Sequence, residues 1–481
     1  MLTRKFLLAA SSLCIAACAV GPSFEPPQAQ LPEQWQGAAD VQSVDAEWWK
    51  QFGDPTLDAL IGRARAGNLD LKIAGLRVAQ SRVQRAIATG ERWPGVSANA
   101  GYQRRRESEF GVTTRMIDIL APAGAARDQI IEALAEPYDV YQAGFDAAWE
   151  LDLWGRVRRA VESADANVAA GQEAFHDVEL TLVAEVARTY LELRGVRDQL
   201  RIARDDVASG TDELELTGYR VKGGLVSNLD LSTQQAQVAT VRSQIPPLEH
   251  QEAALQNALA LLVGADPASL NAELASTPAT NALPQVAPGG IPSELARRRP
   301  DIRRAEAQLH AATADIGVAV ADLYPRLSIT GSFSQQSLDA SDFGDWGARQ
   351  WVIGPSLTLP IFQGGRLRSV VELRELQQQE AAVNYQRTVL GAWHEIENAL
   401  AAYAAEQRRH QELAQVVAAS RDAYEIAHVR YEHGLVNYLV DLDAHRSLLQ
   451  AERAFSESRT QIGVRLVALY KALGGGWSEG Q

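Results

Sequence analysis

The sequence contains two related halves. Five residues of the first half recur 210 positions later, in the pairs Arg220 and Arg430, Gly224 and Gly434, Leu225 and Leu435, Val226 and Val436, and Leu229 and Leu439. The stretch from Pro94 to Gly155 is 21 residues longer than the corresponding stretch from Pro325 to Gly365. A repeat this long exceeds the about 20–50 residues of solenoid units. It therefore predicts a duplicated structural half, and a function that depends on a pseudo-symmetric body rather than on one catalytic pocket.

The first residues are typical of a secretion signal. Arg4 and Lys5 supply positive charge and precede an apolar stretch that ends in Ala17 and Cys18. The ending Ile-Ala-Ala-Cys resembles the bacterial lipobox, in which cleavage occurs before a cysteine whose thiol is acylated. We therefore expect residues 1–17 to be removed and Cys18 to carry a covalent lipid that anchors the chain. An ordinary signal peptide with an incidental cysteine is the alternative.

Composition excludes several functional classes. Hydrophobic residues make up 46% of the chain and charged residues 22%, as in ordinary folded proteins. No run of 18 apolar residues occurs, so no transmembrane helix is predicted in the mature chain. The net charge is −14, and −16 after removal of the signal, which argues against a nucleic-acid partner. Cys14 leaves with the signal, so no intrachain disulfide is expected.

Four segments alternate between apolar and polar residues, which predicts β-strands. They form two hairpins, at about 96–153 and about 327–362. Strands of about 9–11 residues suit a tilted membrane-spanning strand. Four strands cannot close a useful barrel, and an open sheet edge cannot lie in lipid, so several chains would have to share one barrel. The alternative is a soluble hairpin packed on a helix. Acidic residues oppose the apolar face of the second strand, which suits a wet lumen: Asp146, Glu150 and Asp152.

The rest of the chain is predicted to be helical. Proline-free stretches predict long helices at about 156–222 and about 366–432, the first with a heptad seam. Shorter helices follow at roughly 227–263, where Pro246 and Pro247 should introduce a kink, and at roughly 435–473. The predicted organisation comprises a signal (1–17), an extended leader (18–54), a first repeat (55–263), an irregular linker (264–292), a second repeat (293–473) and a tail (474–481).

Several motifs resemble a known family. Residues 18–26 and the segment from Trp48 to Leu57 resemble the start of outer-membrane efflux lipoproteins of the OprM type, also called NodT-type outer membrane factors. Further matches to the wider TolC-like group are Leu323-Tyr324-Pro325, Pro360-Ile361-Phe362, Gly364-Gly365-Arg366, Arg430-Tyr431 and Gly434-Leu435-Val436. Together they cover the mature chain in the order found in that family.

The resemblance implies a mainly α fold with a membrane β-barrel. In that family, three copies build a 12-stranded outer-membrane barrel that continues as an α-helical coiled-coil barrel through the periplasm. The tunnel docks on a periplasmic adaptor, also called a membrane fusion protein, and on an inner-membrane pump of the RND type. The chain would then be a passive exit duct for small molecules such as drugs, and no enzyme. It would lie in the outer membrane, anchored by lipid such as palmitate on Cys18, with no other cofactor.

The resemblance also implies a gate at the periplasmic end. Leu439 would form a hydrophobic ring and Asp443 an acidic ring, with Arg446 and Tyr431 in the network that holds the tip closed. Because Leu439 and Asp443 are four residues apart, they share one helix face. Leu229 and Asp230 are expected in comparable places of the first repeat. Asp441 is close by, so either aspartate could face the lumen.

Three other readings compete with this one. The sequence lacks the glycine-rich, nucleophile and zinc motifs that would indicate an enzyme. His428, His433 and His445 are too poorly spaced to predict a metal site, and no metal is expected. A lipid-anchored periplasmic coiled-coil adaptor would need no membrane strands. A duct for a type I protein secretion system would share the fold and carry a different substrate.

Overall fold

A computed structural model describes residues 19–27, 46–120, 124–275 and 298–475. The predicted signal, Cys18 and part of the linker lie outside the described residues. The helices are α1 (Pro55–Gly67), α2 (Leu69–Gly90), α3 (Val112–Leu120), α4 (Ala125–Leu134), α5 (Arg156–Lys222), α6 (Asn228–Arg242), α7 (Ile245–Leu262), α8 (Asn271–Ala275), α9 (Pro300–Ala321), α10 (Arg366–Glu432) and α11 (Tyr438–Ala472). The strands are β1 (Gly95–Arg105), β2 (Tyr138–Leu151), β3 (Arg326–Ser337) and β4 (Arg349–Thr358).

The chain divides into two compact units. One comprises the start of the chain, Ser81–Asn167 and Leu309–Glu380, and it contains the whole sheet. The other comprises Pro26–Gln80, Val168–Gln308 and Ala381–Gln481. It contains the main hydrophobic core and the two turns that follow the long helices α5 and α10, each of which has 67 residues.

The four strands form one antiparallel sheet in the order β1-β2-β3-β4. The register pairs Gly95 with Ala148 in the first hairpin, and Leu151 with Leu327 between the hairpins. Because side chains alternate between faces, one face is mainly apolar: Val96, Ala98, Ala100, Tyr141, Ala143, Phe145, Trp149, Ile329, Phe333, Trp351, Ile353 and Leu357. The other face is mainly polar or small. Within the described chain, β1 and β4 each pair with one strand, so each leaves one edge free.

The strand ends differ from those predicted. β2 begins at Tyr138, before the predicted alternation, and ends at Leu151, so Leu153 lies in the following turn. β4 ends at Thr358 and excludes Leu359 and Ile361. The reason is Pro360, which has no N–H to continue a ladder. The 21 extra residues of the first half lie in the connection between β1 and β2, which contains α3 and α4.

The predicted kink at Pro246 is wrong, because the helix is interrupted there. α6 ends at Arg242 and α7 begins at Ile245, which places Pro246 in the first turn of a new helix. Proline is tolerated in that turn because its missing N–H would have had no intrahelical acceptor. The second half has no such break, and α11 runs without interruption for 35 residues.

A buried aspartate connects the segment after the leader to the core of the second unit. Asp54 is only 2% exposed and caps α1 by accepting from the Thr56 N–H at 3.0 Å. The same carboxylate accepts from the Tyr190 hydroxyl at 2.8 Å and from Arg194 at 2.9 Å. Nearby, Trp48 stacks on Tyr470 with a ring-centroid distance of 4.8 Å. These contacts join residues far apart in sequence into one core.

Candidate functional site

The turns that follow the two long helices, α5 and α10, have the same backbone conformation. Gly224 and Gly434 have φ angles of 72° and 69°, a left-handed conformation that favours glycine. In each turn, the glycine N–H and the next N–H donate to carbonyl groups of the last helical turn at 2.8–2.9 Å: to Val221 and Arg220 in the first half, and to Tyr431 and Arg430 in the second. This is the Schellman pattern that ends a helix. The left-handed conformation therefore explains why glycine recurs at positions 224 and 434.

The helices that follow the turns are capped differently. The Ser227 hydroxyl accepts from the Asp230 N–H at 3.3 Å, and the Asp230 carboxylate accepts from the Ser227 N–H at 2.9 Å. This capping box stabilises the start of α6. Asp230 is therefore a capping residue of α6, and the residue 210 positions before Asp443 is Thr233. Leu229 does correspond to Leu439, and its side chain is exposed.

The predicted gate residues of the second half lie together. Leu439, Asp443 and Arg446 line one depression of about 1050 Å³ between α10 and α11. Leu439 is 48% exposed, so an apolar side chain faces outward beside a carboxylate and a guanidinium. Most of the remaining lining is apolar or small, including Ala419, Ala423, Ile426, Ala427, Val436, Val440 and Ala444. The common helix face predicted from the four-residue spacing is present.

Tyr431 and Arg446 connect the two halves. Arg220, at the end of α5, donates to the Tyr431 hydroxyl at 2.9 Å, and its guanidinium lies 5.4 Å from the centre of the tyrosine ring. Arg446 donates from Nε to the side-chain oxygen of Gln237 on α6 at 2.7 Å. Each contact spans more than 200 positions of sequence. Together they attach the second turn to the first.

The two neighbouring aspartates have different environments. Asp441 is 5% exposed, and its carboxylate lies 3.3 Å from Nδ1 of His428 on α10. Asp443 lies on the exposed face of α11, in the depression described above. The two aspartates therefore differ in environment: Asp441 belongs to the packing between α10 and α11, and Asp443 is exposed beside Leu439.

Beside the second turn lies a polar cluster that was not predicted from the sequence. The Tyr438 hydroxyl donates to the side-chain oxygen of Gln234, and the Gln234 amide donates to Glu213 at 3.0 Å. Burial raises the pKa of the Glu213 carboxyl above its usual value, and the negative charge of Asp441 adds to this effect. Burial also raises the pKa of the Tyr438 hydroxyl. No sequence signal indicates that Tyr438 meets Gln234, because the two are 204 positions apart.

The described residues offer little for metal chemistry. Across 19–27, 46–120, 124–275 and 298–475, no group of three or more His, Cys, Asp or Glu side chains could hold a metal ion. His428 pairs with Asp441, while His445 stacks on Tyr424 at 4.7 Å. Among the helices of the described chain, none is long and apolar enough to cross a membrane.

The chain is similar to bacterial outer-membrane proteins over nearly its whole length. Residues 60–265 and 291–475 match the family described as "Outer membrane efflux protein". The chain is 35% identical to "Outer membrane protein OprJ" of Pseudomonas aeruginosa, over 99% of this chain and 98% of that protein. It is also 35% identical to "Pyoverdine export outer membrane protein OpmQ" of Pseudomonas putida, over the same shares of the two chains.

Solved structures show the same fold. The outer-membrane channel OprN superposes with a TM-score of 0.85 at 33% identity, covering 96% of this chain and all of that one. The Neisseria gonorrhoeae MtrE outer membrane channel, solved in its open state, superposes with a TM-score of 0.82 at 28% identity, covering 95% of this chain and 98% of that one.

Proposed function

This chain belongs to the outer membrane efflux protein family, and we propose that three copies of it form the passive exit duct of a tripartite efflux system. Its partners would be a periplasmic adaptor and an inner-membrane pump of the RND type. Membership of the family excludes the reading of the chain as a coiled-coil adaptor. Protein export by a type I system remains the alternative use of the same duct.

The observation that carries the proposal is the sheet. It has four strands, two free edges and two chemically different faces. In lipid, an unpaired edge would leave backbone N–H and C=O groups without partners, and each would cost several kcal/mol. Pairing β1 of one copy with β4 of the next removes every free edge. Three copies of this sheet would give twelve strands around a polar interior.

The dimensions of the apolar face fit a membrane. Tyr102 and Tyr141 lie at one end of it, their rings tilted by 39° with centroids 5.2 Å apart, and Trp149 lies towards the other end. Eight residues separate Tyr141 from Trp149 along β2, or about 27 Å at roughly 3.4 Å per residue. A tilt of about 40° reduces this to roughly 20 Å, near the about 25 Å apolar band of outer-membrane barrels, which is bordered by aromatic residues.

The substrates would be small molecules. Related proteins are named for pyoverdine export and for toluene efflux, and both pyoverdine and toluene are low-molecular-weight compounds. The polar face of the sheet carries serine, threonine, asparagine and glutamine side chains suited to a water-filled passage. Such a passage would not select strongly among solutes, so selection would belong to the pump. We therefore propose efflux of drug-like compounds rather than protein secretion.

We place the gate at Leu439 and Asp443. Three copies of each residue around one axis would form an apolar ring and an acidic ring, and like charges held close together resist full ionisation. Truncating both side chains should widen the constriction. The test is single-channel conductance in planar bilayers, with wild type beside Leu439→Ala/Asp443→Ala. A small wild-type conductance that rises several-fold in the variant is expected.

A matched control exists in the first half. Leu229 and Thr233 occupy the places corresponding to Leu439 and Asp443, so Leu229→Ala/Thr233→Ala makes the same truncations at the other turn. We expect this control to change conductance much less. Equal effects at both turns would contradict a gate confined to the second half. Trimeric, membrane-inserted protein without conductance in any form would overturn the duct itself.

We further propose that Cys18 carries the lipid anchor. The leader gives this support: the Val20 N–H donates to the Trp154 carbonyl at 3.0 Å, just after β2. Phe24 then stacks on His310 at 4.4 Å. Cys18 therefore precedes a segment bound beside the end of the sheet, where an acyl chain would reach a membrane. Radiolabelled palmitate should label wild type but not Cys18→Ser; equal labelling would exclude this site.

A further inference from the structure

Helix α3, in the connection between β1 and β2, is amphipathic in the opposite sense to an ordinary surface helix. Its apolar side chains are exposed: Val112, Met116, Ile119 and Leu120 are between 62% and 84% accessible to solvent. Its buried side chain is polar, because Thr114 is only 1% exposed. A surface helix of a globular protein normally turns its apolar stripe towards the core. α3 instead directs its apolar stripe away from the protein.

The exposed apolar residues of α3 share one face. They follow one another in steps of four, three and one residues, which at about 100° per residue keeps all four within an arc of roughly 100°. Thr114 lies on the opposite side of the helix, about 170° from the middle of that arc. Arg115 is also exposed, and it lies about 40° from Ile119, at the border of the arc. The helix therefore has a continuous apolar stripe with a cation at its edge.

Hydrogen bonds hold the start of α3 in place beside the end of the sheet. The Thr114 hydroxyl donates to the Gly111 carbonyl at 2.9 Å, with the Ser108 carbonyl at 3.2 Å. Closer to the strands, Arg106 donates from Nε to the Ala135 carbonyl at 3.1 Å, which joins the beginning of the connection to its end. The exposed stripe therefore belongs to a braced segment, in which the side of α3 that faces the chain is the polar one.

The sheet indicates what lies against this stripe. All four strands connect to helices at one end of the sheet, and the connections 106–137 and 338–348 lie at the other end. At that second end, the apolar face finishes in Tyr102 and Tyr141, and Asp139 follows, accepting from the Tyr102 hydroxyl at 2.9 Å. Aromatic rings followed by charged groups are typical of the border between acyl chains and headgroups. Only six residues separate β1 from α3, so in the proposed channel α3 begins close to the headgroups.

We propose that α3 lies in the interface of the outer leaflet, with its apolar stripe among acyl chains and Arg115 beside a lipid phosphate. Its nine residues extend about 13 Å at roughly 1.5 Å per residue, which is too short to cross a bilayer. A stripe of this kind suits a helix that lies in the plane of the interface. The inference depends on the channel proposal, because membrane-spanning strands are what would bring α3 to a lipid surface.

Charge favours lipid over other copies of the chain as the occupant of this stripe. Three α3 helices that met on the channel axis would bring three Arg115 side chains towards one another, and like charges repel. Lipid phosphates in the interface carry the opposite charge, and a basic residue beside an anionic membrane surface strengthens its binding. The position of Arg115 at the edge of the stripe also lets its stem lie along acyl chains while the guanidinium reaches the phosphates.

Spin labels on the full-length protein measure the environment of the stripe. Met116→Cys carries a nitroxide, and Gln129→Cys, at an exposed polar position of α4, is the matched control. Labelling of wild type gives the background. In trimers reconstituted into vesicles of phosphatidylcholine and phosphatidylglycerol, collision with oxygen is compared with collision with a water-soluble nickel complex. We expect oxygen to dominate several-fold at Met116→Cys and the nickel complex to dominate at Gln129→Cys.

Two results would overturn the placement of α3. Access of the nickel complex to Met116→Cys as free as to Gln129→Cys would show that the stripe faces water. Low access of both reagents, with magnetic broadening between labels, would show that three copies meet at the channel mouth. Wild-type conductance is measured in planar bilayers of the same lipids. Conducting trimers with either result contradict only the placement of α3, whereas inserted trimers that do not conduct contradict the duct.

A charge substitution tests the contact with phosphate. With the label at Met116→Cys, Arg115→Gln should lower the ratio of oxygen access to nickel access several-fold in the vesicles that contain phosphatidylglycerol. Arg105→Gln removes the same charge from the end of β1, on the polar face of the sheet, and should leave the ratio unchanged. An unchanged ratio with Arg115→Gln, or equal changes with both variants, would exclude Arg115 as the phosphate ligand.

Discussion

At the scale of single residues, one hydroxyl group joins the two turns. Arg220 donates to the Tyr431 hydroxyl, while its contact with the tyrosine ring does not need that hydroxyl. Tyr431→Phe should therefore weaken the attachment of the second turn by about 1 kcal/mol and raise single-channel conductance. Tyr219→Phe is the matched control, because the Tyr219 hydroxyl donates to Glu215, one turn away in the same helix. Equal conductance of Tyr431→Phe and wild type would show that the bond does not restrain the turn.

A half-buried carboxyl group is expected to make the same turn sensitive to pH. The pKa of Glu213 is raised above its unfolded value, chiefly by burial and also by Asp441, against the opposing charges of His445 and His428. The protonated Glu213 carboxyl contributes fully to folding stability below the pKa that it has in the unfolded chain. This contribution is lost as the pH rises through the higher pKa that it has in the folded chain. The packing of α5 against α6 and α11 should therefore be tighter at mildly acidic than at neutral pH.

Glu213→Gln tests this dependence, because glutamine can still accept from Gln234 without carrying charge. Hydrogen exchange of the first turn of α11, corrected for intrinsic rates, should change less between about pH 5 and about pH 8 in this variant than in wild type. Glu215→Gln, two residues away and exposed, should behave like wild type. An unaltered pH dependence in Glu213→Gln would assign the effect to another group.

At the scale of elements, the turn after α10 depends on a left-handed glycine. Gly434→Ala keeps the side chain small but places a Cβ at φ 69°, which should destabilise the turn by about 1–2 kcal/mol. Gly62→Ala, at an open position inside α1, removes a poor helix former and should stabilise by up to about 1 kcal/mol. Thermal unfolding of the two variants should therefore shift in opposite directions. Parallel shifts would contradict this explanation of the repeated glycine.

At the scale of the whole molecule, the two halves differ most in the connections between their strands. Residues 106–137 join β1 to β2, whereas residues 338–348 join β3 to β4. The β1–β2 ladder is complete from Gly95 to Arg105 without help from the longer connection. Replacing residues 106–137 with the sequence of 338–348 should therefore preserve trimers and their conductance. Loss of trimers on native gels would instead give α3 and α4 a role in assembly.

Features that depend on neighbours along the chain could be predicted from the sequence alone. Alternation predicted the four strands, and heptad spacing and the absence of proline predicted the long helices. These signals, with the family motifs, predicted a fold class that is confirmed. Near Pro360 and Pro246 the observed strand and helix ends differ from the predicted ones. Proline removes a backbone hydrogen-bond donor, and the apolar periodicity of the sequence does not register that loss.

Which polar groups contact one another depends on the packing of the helices. Asp441 and Asp443 are alike in sequence, but the packing of α10 against α11 buries Asp441 beside His428 and leaves Asp443 exposed. The Tyr438 hydroxyl donates to Gln234, which lies 204 positions away in the sequence. Such contacts depend on how whole helices align in three dimensions, and periodicity within one helix carries no information about that alignment.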